Sequence, residues 1–179
     1  DEIKEREDDV KRHLDRTREE IEKLLKEMEE HTERSRRKIK KVAEDAEERL
    51  RKVEEENSKD RRVLTKLKED VERLKEELKE HLRRNKKTVE DIKRELREHL
   101  KRNKKRVEDI KRELDRDIRG NKELEEVKRK LDRILEESEK LVREAEKRLD
   151  ELLKDNKRLV EELEKELDRI LEELRKRVD

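Results

Sequence analysis

The sequence predicts an all-α protein: a single-chain antiparallel three-helix bundle of long, nearly straight helices that occupies residues 1–179 as one elongated domain. Three observations support this prediction. Nearly every residue favours a helix, since the chain contains no Pro and one Gly. The few apolar residues recur at helical spacing along a narrow stripe. Two turn signals divide the chain into three segments of similar length, and short connections require neighbouring helices to run antiparallel.

The turn signals set the expected helix boundaries. The stronger signal is Gly120 and Asn121, because Gly can adopt the left-handed conformation after a helix and Asn can cap the next one. The weaker signal is residues 57–60, where Asn57 suits a helix end and Ser58 suits an N-cap. We therefore predict helix 1 at about residues 2–56, helix 2 at about 59–119 and helix 3 at about 122–178.

An eighteen-residue repeat explains why straight helices are expected. Residues 80–96 recur as residues 98–114 with 15 of 17 letters unchanged. Along helix 1 the apolar stripe advances in steps of 4, 3, 4, 3 and 4, which place five contacts in eighteen residues. The resulting 3.6 residues per contact match a straight α-helix and not the 3.5-residue period of a supercoiled heptad. Helices built on this repeat can therefore stay in contact with little twist.

The composition excludes an ordinary globular domain and several kinds of site. Charged residues make up 64% of the chain and hydrophobic residues 26%, which leaves too little apolar surface for a compact core. The absence of Cys excludes disulfide bonds and cysteine-ligated metals. No apolar run is long enough to cross a membrane, so we expect a soluble protein without a membrane partner.

The charges favour pairing of the middle helix with the other two. Residues 1–58 carry a net charge of −4, residues 59–119 of +8 and residues 120–179 of −3. A basic helix between two acidic ones favours the up-down-up arrangement and disfavours contact between like helices of different molecules. We therefore expect a monomer that requires no partner, with self-association as the alternative.

Polar residues interrupt the apolar stripe at two levels. If the turns are centred near residues 59 and 120.5, Asn85 faces position 33 and Asn156, and Asn103 faces position 15 and Ser138. We predict two buried hydrogen-bonded layers that fix the helix register, because a misaligned amide would be buried without a partner at a cost of about 1–3 kcal/mol. The first layer consists of Thr32, Ser35, Asn85 and Asn156, and the second layer of His13, Thr17, Asn103 and Ser138.

Four histidines lie one position beside the stripe, namely His13, His31, His81 and His99. They are either half-exposed flanking residues or members of the polar layers. We expect no zinc site, because tetrahedral sites need several converging ligands and the histidine pairs on one helix are five turns apart.

The remaining features do not indicate a binding or catalytic site. The basic runs at residues 34–41, 83–87 and 101–106 are interpreted as solvated faces and not as a nucleic-acid site, because acidic residues flank them and aromatic residues are absent. The narrow stripe also lacks the Trp or Phe typical of a lipid-binding helix. Nothing resembles a nucleophile elbow or an oxyanion hole, so we expect no enzyme activity, no catalytic residue and no cofactor or metal.

The near-verbatim repeat, the absence of aromatics, the Gly-Asn turn and the matched polar residues resemble de novo designed, parametrically generated helical bundles with buried hydrogen-bond networks. The resemblance covers the whole chain. It implies a hyperstable scaffold without a natural substrate, partner or compartment, soluble and cytoplasmic in an expression host.

Two alternatives to a scaffold remain open. The chain could be a component of a designed oligomer or of a binding or pH-responsive assembly, with an outer apolar face formed by Leu24, Val42, Ile134, Leu152 and Ile170. It could also be a natural coiled-coil spacer. Natural repeats diverge in sequence and usually contain some aromatic residues, and this chain does neither.

Overall fold

Three long helices make up the described part of the chain. The computed structural model describes residues 2–56, 60–117 and 122–178. Helix α1 spans Glu2–Glu55, α2 spans Arg61–Asp117 and α3 spans Lys122–Val178. The predicted all-α class and three-helix bundle are confirmed, and the helix bounds lie within two residues of the predicted ones. The predicted turn residues, Asn57, Ser58, Gly120 and Asn121, lie outside the described residues.

Asp60 caps the start of α2. Its Oδ1 accepts a hydrogen bond from the backbone N–H of Arg62 at 3.1 Å, and its carbonyl oxygen accepts one from the backbone N–H of Leu64 at 3.2 Å. The first backbone donors of a helix have no partner within the helix, and an aspartate at this position satisfies one of them. The last residue of the weaker turn signal therefore defines where α2 begins.

The helices pack in two compact units, and each helix contributes one segment to each unit. Unit 1 comprises Asp1–Met28 and Val89–Asp150, and unit 2 comprises Glu29–Thr88 and Glu151–Asp179. The description of the chain as one elongated domain stays a prediction.

Ion pairs and a histidine–carboxylate contact define the helix directions in unit 1. Partners on α1 and α2 follow opposite numerical order, whereas partners on α1 and α3 rise together, so α2 is antiparallel to both of its neighbours. The pairs are Asp9 with Arg106 and Glu20 with His99 between α1 and α2, and Glu7 with Lys130 and Arg18 with Glu137 between α1 and α3.

The eighteen-residue repeat also appears in the ion pairs between α2 and α3. Each advance of eighteen residues on α2 is matched by a retreat of eighteen on α3. The lysine side chains are 23–28% exposed but their aspartate partners are 53–59% exposed, so each is a surface pair worth about 0–1 kcal/mol. The pairs are Lys93 with Asp150 and Lys111 with Asp132 in unit 1, and Lys75 with Asp168 in unit 2.

Aliphatic side chains at equivalent positions of the repeat form the core of each unit. Leu78 is buried in unit 2, and Leu96 and Leu114 are buried in unit 1. On α3, Leu167 is buried in unit 2, as Leu149 is in unit 1. In unit 2 the core includes side chains from all three helices: Ala43, Ala46, Val53, Leu64, Leu67, Val71, Leu78, Val160, Leu163, Leu167, Ile170, Leu171 and Leu174.

None of the helices in the described ranges contains a segment that is long and apolar enough to cross a membrane.

Leu96→Ala is expected to lower the free energy of unfolding by about 2–5 kcal/mol, because the Leu96 side chain is only 1% exposed and its removal leaves a cavity. Urea unfolding followed by circular dichroism measures the change. Val63→Ala is the control, since Val63 is 45% exposed and its truncation should change stability by less than about 0.5 kcal/mol. Equal effects of the two substitutions would contradict the assigned core.

Candidate functional site

The second layer contains a chain of hydrogen bonds between α1 and α2 in unit 1. The Nδ2 group of Asn103 donates to Oγ1 of Thr17 at 3.0 Å. The Thr17 hydroxyl in turn donates to the backbone carbonyl of His13 at 2.9 Å. Thr17 is buried, so its hydroxyl depends on these two partners and not on water. The two hydrogen bonds therefore tie one position of α1 to one position of α2.

The α3 member of the second layer is nearby but bonds within its own helix. Ser138 is 2% exposed and donates to the carbonyl of Ile134 at 3.2 Å. Ser138, His13 and Asn103 line one small cavity of about 10 Å³. The structure thus brings all three helices to the second layer, and among the described members of this layer the hydrogen bond between helices is the one from Asn103 to Thr17.

The two asparagines of the first layer, in unit 2, are buried but poorly paired, whereas Thr32 and Ser35 are half-buried. Asn85 is fully buried and Asn156 is 3% exposed. The Asn85 Nδ2 group lies 3.3 Å from Nε2 of His81, one turn earlier on the same helix. The Asn85 Oδ1, both polar atoms of the Asn156 side chain and the Thr32 Oγ1 are buried without a hydrogen-bond partner. Among the described residues, no direct hydrogen bond therefore connects the members of this layer.

Ser35, the fourth member of the first layer, lies beside a histidine pair. The ring centroids of His31 on α1 and His81 on α2 are 6.4 Å apart. Both rings, together with Ser35 and Lys38, line a groove of about 630 Å³. His13, His81 and His99 are half-buried and His31 is exposed, and membership of the histidines in the polar layers stays a prediction.

Burial and nearby cations favour the neutral form of two histidines. Burial lowers the pKa of His81 below its usual range, and His31, Arg84 and Lys38 lower it further. Burial also lowers the pKa of His13, with Arg106 adding to the effect and Asp9 opposing it. Each charged imidazolium would have to give up hydration and approach other positive groups. Both histidines therefore resist protonation in the folded state.

Another cluster of polar side chains in unit 1 was not predicted. Glu20 of α1 and Glu95 and His99 of α2 each offer one atom able to bind a metal ion, and the three atoms lie within 4.8 Å of one another. Glu95 and His99 are four residues apart and therefore share a helix face, a signal that is present in the sequence. Glu20 lies on another helix, so its place in the cluster can be predicted only if the register between α1 and α2 is known.

The helix order, the antiparallel ion pairs and the cores of the two units define an antiparallel three-helix bundle. A solved structure described as "Computationally designed three helix bundle" has a similar fold, with a TM-score of 0.51 and 17% sequence identity over 99% of this chain and 88% of that one. No protein-family model matches the chain, and no curated protein matches it.

Asn156→Leu is expected to raise the free energy of unfolding by about 1–3 kcal/mol, because it removes two buried polar atoms without partners while keeping a similarly branched side chain. Thermal and urea unfolding measure the effect. Asn103→Leu is the matched comparison and should destabilise by about 1 kcal/mol, since it breaks the hydrogen bond to Thr17. If both substitutions changed stability in the same direction, the difference assigned to the two layers would be wrong.

Acidification from pH 7 to pH 5 is expected to lower stability by less than roughly 1 kcal/mol for each of His13 and His81. Their folded-state pKa values lie below the unfolded value of about 6.5, so the unfolded state binds more protons as the pH falls through this range. Asp9 does not interfere, because the hydrogen bond from Arg106 lowers its pKa and its effect is confined to more acidic solutions.

Urea unfolding at several pH values tests this dependence, with a variant carrying His13→Gln and His81→Gln as the control. The variant should lose less stability than the parent between pH 7 and pH 5. The charged groups Lys38, Glu77, Glu80 and Arg84 line the same groove as His81 and are unchanged between the parent and the variant, so the comparison isolates the two histidines. A parent whose stability rises on acidification would show that carboxylates, and not burial, dominate the histidine environment.

Proposed function

We propose that the chain is a de novo designed structural scaffold without natural biochemical activity, in which buried polar residues fix the helix register. One observation carries the proposal. The same eighteen-residue repeat governs the sequence, the buried positions and the ion pairs between α2 and α3. In so regular a repeat, the inward side chains pack the helices together and the outward ones are solvated, which fits a structural role.

Composition and fold support the design origin. Residues 80–96 and 98–114 are nearly identical, and the chain uses no aromatic residue. The solved structure that shares the fold is itself described as computationally designed. A sequence written from one ideal helical repeat accounts for both features.

The second layer argues against a catalytic reading of its histidine and serine. Ser138 and His13 line the same cavity, an arrangement that could suggest a nucleophile and a base. The cavity of about 10 Å³ has room for at most about one water molecule and none for a substrate. The Ser138 hydroxyl also donates a hydrogen bond to the backbone carbonyl of Ile134. A structural role, without enzyme activity or a cofactor, therefore fits these residues best.

The two layers support register control in different ways. In the second layer, the hydrogen bond from Asn103 to Thr17 joins α1 and α2 in the observed alignment. In the first layer, the buried amides of Asn85 and Asn156 lower stability, which is the usual cost of polar residues kept in a core for specificity. The hydrogen bond between Thr17 and Asn103 is thus the contact that favours the observed alignment of α1 and α2.

Burial favours a monomer over a component of an oligomer. Leu152 is 8% exposed and Ile170 is 1% exposed, so two of the five residues considered for an outer apolar face belong to the core. Among the described residues, Val63 is the exposed large hydrophobic side chain. We therefore propose that no partner protein, nucleic acid or membrane is required.

A distance measurement between helices tests the register role. Spin labels at the exposed positions Glu19 on α1 and Lys101 on α2 should give a single narrow distance by pulsed electron resonance in the parent chain. A variant carrying Asn85→Leu, Asn103→Leu and Asn156→Leu should remain helical but give a broader or second distance, because a repetitive apolar stripe tolerates alternative alignments.

The matched control changes three exposed residues next to these asparagines, as Lys86→Gln, Lys104→Gln and Lys157→Gln. It should keep the narrow distance of the parent. A triple Leu variant with the same narrow distance would show that the asparagines do not determine register.

A further inference from the structure

We propose that Glu20, Glu95 and His99 form a binding site for one divalent transition-metal ion of the zinc class. One ligand atom from each side chain lies within 4.8 Å of the other two. The His99 Nε2 is 3.7 Å from the Glu20 Oε2. In a tetrahedral zinc site with bonds of about 2.0 Å, neighbouring ligand atoms are roughly 3.3 Å apart, so small side-chain rotations complete the site.

The donor set selects the chemical class of the ion. An imidazole nitrogen favours Zn²⁺ and similar transition metals over Mg²⁺ and Ca²⁺, which prefer oxygen ligands. Two carboxylates balance the double positive charge of the ion. Three protein ligands leave a fourth position for a water molecule, as in zinc sites that are open to solvent.

The helices provide the geometry of the site. Glu95 and His99 are four residues apart on α2 and project from one face. Glu20 approaches from the antiparallel helix α1. The His99 side chain is 22% exposed and that of Glu20 is 48% exposed, so the imidazole is held by packing while the carboxylate can move toward an ion. A bound ion would connect α1 to α2, and this link departs from the expectation of no metal site.

The preceding repeat supplies a natural comparison within the same chain. Glu77 and His81 have the same four-residue spacing on α2, eighteen residues earlier. There the neighbouring α1 residues are His31, whose ring centroid lies 6.4 Å from that of His81, and Lys38, and both disfavour a positive charge on His81, as Arg84 of α2 does. A cation is therefore repelled where Lys38 lies and attracted where Glu20 lies, although the α2 motif is the same.

Isothermal titration calorimetry with Zn²⁺ on the tag-free, metal-stripped chain tests the proposal. The parent should bind one equivalent, and Mg²⁺ at the same concentration should not compete. His99→Gln and Glu20→Gln should each weaken binding by about tenfold or more. His81→Gln, the same change in the preceding repeat, should leave the affinity within about twofold of the parent. Circular dichroism of each variant verifies that the helices are intact.

A gain-of-function variant provides a second measurement. Lys38→Glu in the His99→Gln background places two carboxylates beside His81 and should restore binding of one equivalent. Zinc binding that survives His99→Gln, that is lost equally in His81→Gln, or that does not return in the Lys38→Glu variant would overturn the proposal. The role as a scaffold does not depend on this result, since register and stability are measured without metal.

Discussion

The alignment of apolar side chains along each helix is the constraint on which the rest of the structure depends. With 26% hydrophobic residues, the chain can form a core only if nearly all of them fall on one stripe per helix. A spacing of 3.6 residues per contact keeps that stripe on one side of a straight helix. Buried Leu78, Leu96 and Leu114 occupy the same position of successive repeats, which is how a sparse set of residues supplies cores in both units.

A regular apolar stripe determines which faces of the helices pack together, but it determines their register less well. Equivalent leucines can pack against one another in more than one register, so the apolar contacts alone leave competing arrangements close in energy. The ion pairs of Lys93 and Lys111 repeat with the same period and therefore cannot distinguish these arrangements either. Only residues that break the repeat can do so. The two polar layers differ in this way, because Asn103 donates to Thr17, whereas its equivalent Asn85 has Ser35 in place of Thr17 and, among the described residues, no hydrogen bond to α1.

The sequence predicts the fold well and the polar contacts less well, for a physical reason. Helix bounds and buried aliphatic positions follow from local propensity and periodicity, which act along one chain segment. The sequence placed Asn103 opposite position 15 of α1, and the hydrogen-bond partner of Asn103 is Thr17, two residues away. Whether an amide finds a partner depends on the last few ångströms between helices. Asn85 and Asn156 are buried, yet periodicity could not reveal that the Asn85 Oδ1 and both polar atoms of the Asn156 side chain have no hydrogen-bond partner.

Comparison of the two copies of the α2 repeat shows which features of a histidine site depend on α2 and which depend on the neighbouring helix. His81 and His99 have nearly the same neighbours along α2, with Lys and Arg exchanged at two positions, so helix geometry alone would give them similar chemistry. Their environments differ because α1 is not repeated in the same way and presents Lys38 near one and Glu20 near the other. A positive neighbour and burial keep His81 neutral, whereas a carboxylate neighbour makes His99 a suitable partner for a cation. Equivalent residues of the α2 repeat therefore differ in their chemistry because the charged residues of α1 that face them differ from one repeat to the next.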